Sequence, residues 1–215
     1  MKLPQIVRRI VPFFVVAAAA AAAAAVAQPA PGGAEGGKKT VEVSNVKFNK
    51  VRGPGSSDQW LESEVELNVR ATGSGPDRFL NRVRVTLNLA VEVTPTPKDK
   101  EQRIQLYRSS AETIALENGR SWVRFYLPPE IVKRDGVPAN PKYYLVSLAV
   151  DGAEVPRESL GRAAISTGLP NAETFMTEIS GKAGANDGLL QPQYLTPFLT
   201  DSGKKTPTFL RREQL

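Results

Sequence analysis

From Leu61 to Val69 the chain sets Leu61, Val65, Leu67 and Val69 on odd positions and Glu62, Glu64, Glu66 and Asn68 on even ones. A strand sends successive side chains to opposite faces, whereas a helix scatters residues two apart around its axis. The segment therefore reads as a strand with one buried and one wet face. Residues 79–93 extend the pattern. Phe79, Val83, Val85, Leu87, Leu89, Val91 and Val93 are odd, and Arg82, Arg84, Thr86, Asn88 and Glu92 are even. Two such runs commit the chain to half-buried sheets.

The remaining segments follow the same logic. The apolar residues of Val41–Val43 are odd and those of Val46–Phe48 are even, which predicts a bulge at Ser44–Asn45 that keeps one face inward. Arg103–Tyr107 and Glu112–Leu116 read as strands, or as one interrupted edge strand. Asn118-Gly119 and Asp151-Gly152 are hairpin signals. They lead into Trp122–Leu127, with Val123, Phe125 and Leu127 inward, and join Tyr143–Val150 to Ala153–Pro156. Ala163–Ser166 is expected to extend that last strand. Pro129–Arg134 predicts a short helix stopped by Gly136. The expected fold is all-β: an immunoglobulin-like antiparallel β-sandwich of about seven strands over residues 40–170, with one or two short helices. A jelly roll and an open barrel are the alternatives.

Residues 171–215 form an irregular C-terminal extension. Asn171 is placed to cap a helix starting at Ala172. Beyond it, glycines and prolines are interspersed with Leu189, Leu190, Tyr194, Leu195, Phe198, Leu199, Phe209 and Leu210. A disordered tail is poorer in such residues. The segment either packs over its own sandwich and covers an edge, or docks on a partner by strand addition.

The start of the chain bears on location. Lys2, Arg8 and Arg9 precede an apolar run from Ile10 to Val26, and Ala25-Val26-Ala27 offers a small-x-small cleavage site. This is the plan of a signal peptide over residues 1–27, followed by a flexible Pro/Gly linker over 28–39. A retained anchor is the rival reading. The protein is expected to be exported, periplasmic or outer-membrane-associated, with no membrane span after cleavage. The formal charge of +6 falls to +3 without the leader, which carries three basic residues and no acid. No concentrated basic face is visible, so no nucleic-acid partner is expected.

The chain has no cysteine and no histidine. Ser-His-Asp and Cys-His nucleophilic sites are thereby excluded, and zinc and copper lose their usual ligands. Carboxylate chemistry, Ser-Lys chemistry and an oxygen-only calcium site survive. Asp58, Glu62, Glu64 and Glu66 form a carboxylate cluster, but one strand does not wrap a cation. They are read as a solvated face paired across the sheet with Arg82 and Arg84. No catalytic residue, cofactor or metal site is assigned, and the protein is expected not to be an enzyme. Trp60, Trp122, Tyr126 and Tyr107 are the aromatics expected to reach a surface. Trp122, Tyr126, Tyr194, Leu195, Phe198 and Phe209 are the candidate partner-binding residues.

Taken together, the export leader, PAPGGAEGGKK, SEVELNVRATG, NRVRVTLNLAVEV, RSWVRFYLPPEIVKRDGVP and KYYLVSLAVDG resemble small immunoglobulin-like proteins encoded beside type IV pilus-like machinery in mucus-dwelling Gram-negative bacteria. The resemblance spans most of the expected mature chain. It implies a periplasmic or outer-membrane-associated pilus accessory with an immunoglobulin-like fold akin to the head domains of archaeal pilins, and it carries no site residues over. The expected function is non-enzymatic binding of a protein partner in the cell envelope or a pilus-like assembly, with self-association as a further option. A glycan- or mucin-binding adhesin domain and a carboxylate-based hydrolase are the alternatives.

Overall fold

The computed structural model describes residues 39–71, 78–93, 103–200 and 206–211. The expected signal peptide and all of the expected linker except Lys39 lie outside the described residues. Six long strands carry the fold: β1 (Thr40–Arg52), β2 (Gln59–Arg70), β4 (Val83–Val93), β5 (Arg103–Thr113), β7 (Gly119–Leu127) and β8 (Tyr143–Val150). Short strands accompany them: β3 (Phe79–Asn81), β6 (Ala115–Glu117), β9 (Ala153–Glu154), β10 (Gln191–Pro192) and β11 (Phe209–Leu210). The helices are α1 (Pro129–Arg134) and α2 (Ala172–Lys182). One sheet has the order β1-β2-β7-β10, the other β11-β5-β4-β8-β9, and β3 and β6 form a small separate pair. Every ladder is antiparallel. Without β10 and β11, the three-strand and four-strand layers give the Greek-key arrangement of an immunoglobulin-like sandwich.

The odd-numbered apolar residues of β2 and β4 meet in the core. Leu61, Val65, Leu67, Val85, Leu87, Leu89 and Val91 are fully buried there with Val123, Phe125, Val146 and Leu148. The β1 register shifts between Val43 and Asn45, so the expected bulge is present. It frees the Val43 N–H to donate to the Leu160 carbonyl at 2.7 Å. The segment after β9 thus docks on the outer edge of β1 at Val43.

Three local expectations are corrected. The long odd-parity run breaks at Arg82, which adopts φ 47°. That twist turns Phe79–Asn81 away to pair with β6 and puts Leu80, not Phe79, in the core. Asn118-Gly119 is not a hairpin. Only Gly119 of the two takes positive φ, and the flanking strands pair with β3 and β2 rather than with each other. The Asn118 side chain instead accepts from the Ala71 N–H at 3.2 Å. Ala163–Ser166 does not extend β9; it makes a 3-10 turn at Arg162–Ala164 and a single bridge from Ile165 to Leu145. By contrast, Asp151-Gly152 is a true hairpin turn, with φ of 50° and 85°.

Tyr107 is also corrected. Expected near a surface, it is fully buried, because β5 places it opposite Leu89 on the inward side. Its hydroxyl donates to Asp135, which caps the C-terminus of α1 and accepts two 2.7 Å bonds from Arg134. The Arg134 contact and the Tyr107 bond together hold the Asp135 carboxyl below the usual carboxylate range, although burial opposes them. Burial, with Asp135 beside it, raises the Tyr107 hydroxyl far above its ordinary value. A carboxyl whose folded pKa is depressed contributes stability above its unfolded pKa and loses it as pH falls through the folded value. Urea midpoints measured from pH 6 to pH 2 are therefore expected to fall less steeply in Asp135→Asn than in the wild type. Parallel curves would remove Asp135 from the acid transition.

Candidate interaction surface

The expectation that both outer faces are wet does not hold. On the β4–β5–β8 face, Ala90, Leu106 and Leu145 point outward and are covered by Phe175 and Ile179 of α2 and by Ala183. Asn171 caps that helix as its sequence predicts, accepting from the Glu173 and Thr174 N–H groups at 2.9 and 3.0 Å.

On the β2–β7 face the charges pair within their own sheet. The register sets Glu62 against Tyr126, Glu64 against Arg124 and Glu66 against Trp122. Tyr126 donates to Glu62 at 2.9 Å, Arg124 donates to Glu64 at 3.0 Å, and Arg120 sits 3.5 Å from Glu66. The expected partners of these acids, Arg82 and Arg84, lie on the other sheet and hold Glu112 at 3.1 and 3.3 Å. Asp58, at the start of this region, is held by Lys133 at 3.1 Å. The Lys133 contact and a Ser56 hydroxyl lower its pKa, the opposite of what a general acid requires. Among the described residues no group of three or more metal-ligating side chains is assembled.

The C-terminal extension then crosses this face as a lid. Gln191 and Pro192 pair with Tyr126 and Phe125 at the edge of β7. The next residues make a turn closed by its own side chains. Thr196 donates to the Gln193 carbonyl at 2.8 Å, and the Gln193 amide donates to the Phe198 carbonyl at 2.9 Å. Phe198 lands flat on Tyr126, with centroids 4.4 Å apart and planes 5° from parallel. Trp60 stands edge-on to both rings. Arg124, now beneath the lid, also donates to the Gln193 side chain at 3.5 Å and to Thr206 at 3.1 Å. Its ion pair with Glu64 is almost dry, with 4% and 3% of the side chains exposed.

The six candidate residues thus separate. Tyr126 and Phe198 are buried against each other. Tyr194 and Phe209 are half-buried and pack together at 5.3 Å. Trp122 is half-buried on the outer face, so it and Tyr126 do not present a pair of open rings to a sugar. Leu195 is the most open, 61% exposed, and Leu199 beside it is 49% exposed. Sequence reasoning missed Trp60 as a lid contact, and also Glu64 and Arg124 as a buried pair. Parity reports a residue's face but not what covers it.

The chain matches no protein-family model and no curated protein. A crystal structure from Akkermansia muciniphila shares the fold with a TM-score of 0.63 at 15% identity, covering 82% of this chain and 95% of that one. At such identity the likeness concerns architecture alone. No helix among the described residues is long and apolar enough to cross a membrane.

Proposed function

We propose that this chain is an exported, non-enzymatic binding module, an accessory of a pilus-like or other envelope assembly that holds a protein partner. The observation that carries the reading is the lid. It spends Phe198 and Gln193 on fixing itself to the sandwich, yet turns Leu195 and Leu199 out to solvent. Side chains of that size on a pinned turn form a preorganised apolar contact, which lowers the ordering cost of association. The envelope location in this reading follows the leader-like start of the sequence.

The test is a pulldown from a solubilised envelope fraction with wild type and with Leu195→Asp/Leu199→Asp. These exposed positions tolerate the change without unfolding, so the circular dichroism spectrum and Tm should hold. Partner recovery is expected to fall at least tenfold. Equal recovery by both proteins would refute the lid as the contact.

A further inference from the structure

We infer that the outer edge of β1, from Lys47 to Arg52, is a strand-addition site for an acidic extended segment of a partner protein. This deepens the binding-module reading and rests on it. Three observations carry it.

The first is the hydrogen bonding of the edge. β1 is the outermost strand of its sheet, and among the described residues it pairs only with β2. Its one further backbone bond runs from the Val43 N–H to the Leu160 carbonyl, and all the hydrogen bonds of residues 40–52 are made to described residues. The segment that supplies Leu160 then leaves β1. Gly161 takes φ 87°, a 3-10 turn follows at Arg162–Ala164, and Ile165 bridges to Leu145 on β8. Backbone groups alternate sides along a strand. The Val43 N–H points away from β2, and the bulge at Ser44–Asn45 carries that phase on to Val46, Phe48, Lys50 and Arg52. At Phe48, Lys50 and Arg52 these outward groups have no backbone partner. The open length is about 20 Å, which suits a strand of about six residues.

The second is an apolar seam beside that edge. Val46 and Phe48 pack against the core yet are only half-buried, and Phe48 meets the half-buried Tyr144 of β8 at 5.3 Å. Val41 and Val43, earlier on the same strand, are buried. The difference is one of position, because the Leu160 segment crosses at Val43 and turns to β8 from there. A partner residue opposite Phe48 shares its face, so an apolar side chain there would extend the cover over both rings.

The third is charge. Lys47, Lys50 and Arg52 are exposed and hold no ion pair, and residues 45–52 contain no acid. At the end of the strand Lys50 lines a cleft of about 430 Å³ with Lys133 and Asp58. Asp58 is already held by Lys133 at 3.1 Å, and Glu62 by Tyr126 at 2.9 Å and Asn49 at 3.3 Å. With Glu64 matched by Arg124, the bases Lys47, Lys50, Arg52 and Lys133 outnumber the acids Asp58 and Glu62. An antiparallel segment with acids opposite Lys47, Lys50 and Arg52 fits this edge, and one with bases there does not. A second copy is disfavoured for the same reason, since two β1 edges would bring their lysines together.

The test uses the purified full chain and two fluorescein-labelled hexapeptides, acetyl-Glu-Val-Glu-Thr-Val-Glu-amide and its counterpart with lysine in place of glutamate, read by anisotropy. The acidic peptide is expected to bind at least tenfold more tightly than the lysine peptide, with the margin shrinking as salt rises. Lys47→Glu/Lys50→Glu should reverse that preference. Lys50→Pro should abolish binding of the acidic peptide, because it deletes an outward N–H while leaving the β2 ladder intact. Amide exchange of Phe48 and Lys50 should slow only when the acidic peptide is present. Equal affinity for the two peptides, or no binding by either, would overturn the proposal. So would slow exchange of those amides in the free monomer, which would mean the chain fills its own edge. A dimer that protects them would assign the edge to a second copy and overturn it equally. If Lys47→Glu/Lys50→Glu still recovers the envelope partner lost by Leu195→Asp/Leu199→Asp, the edge fails and the binding-module reading stands. If the acidic peptide binds at Phe48 and Lys50 but wild type recovers no envelope partner, the edge is a peptide site and the envelope reading is what fails.

Discussion

Gly161→Ala is expected to lower the unfolding free energy by about 3–5 kcal/mol, from two independent penalties. Gly161 adopts φ 87° and ψ 151°, a conformation that only glycine visits readily. A Cβ built there would stand 2.5 Å from the Val43 carbonyl oxygen, and backbone cannot step aside as a flexible side chain can. The close approach has a cause. Val43 sits at the β1 bulge, and its freed N–H is taken by Leu160, the residue before Gly161. A methyl group at Gly161 pushes this connection off β1 at Val43. Gly188 is the matched control: its φ is 74°, but nothing lies within 4 Å of its Cβ position. Gly188→Ala should therefore cost only the conformational part, about 1–2 kcal/mol. Urea unfolding of both variants measures the difference. Equal losses, or a Gly161→Ala loss under 1 kcal/mol, would show that the contact at Val43 gives way without cost.

The sequence made the sandwich legible because its central strands alternate cleanly. In β2 from Leu61 to Val69 the apolar and polar residues separate by parity with Ser63 as the one exception, and the separation is complete along β4 from Val83 to Leu89. Local chemistry fixed the ends of elements equally well. Asn171 caps α2, Pro129 opens α1, and Asp151-Gly152 turns β8 into β9. What failed to show were features set by distant contacts. Nothing about an arginine announces φ 47°, so the break at Arg82 was invisible. Tyr107 lies in a strand whose two faces are about equally apolar, and only the register with β4 decides that it points inward. One long-range feature does have a local signal. Leu106 and Leu145 are apolar on the face that parity makes outward, and a strand buried on both sides reads that way. They marked the seat of α2. The buried state of Glu64 and Arg124 had no local signal, because the covering residues lie more than sixty positions further along the chain.

That pair sets the second large effect. Arg124→Met is expected to cost about 3–5 kcal/mol, because it takes the guanidinium away from the Glu64 carboxylate in a nearly dry site. The double variant Glu64→Leu/Arg124→Met removes both charges and restores similar apolar volume. Its stability should return to within about 1 kcal/mol of wild type, since buried ion pairs add little net stability over apolar replacements. The pair's contribution then lies in orientation. Arg124 is the side chain that reaches from β7 to Gln193 and Thr206, and so fixes where the lid sits. Without it, the β10 pairing and the Phe198–Tyr126 stack remain, but the lid's register on β7 is no longer pinned by charge. Trp60 stands edge-on to Phe198 at 5.5 Å and reports on this directly. The double variant should therefore combine near-native urea stability with a red-shifted tryptophan emission, and a Trp60→Phe background should abolish the shift. Native emission at native stability would leave Arg124 no part in seating the lid. A double variant as unstable as Arg124→Met would mean that the ion pair itself, rather than the cost of breaking it, holds this face together.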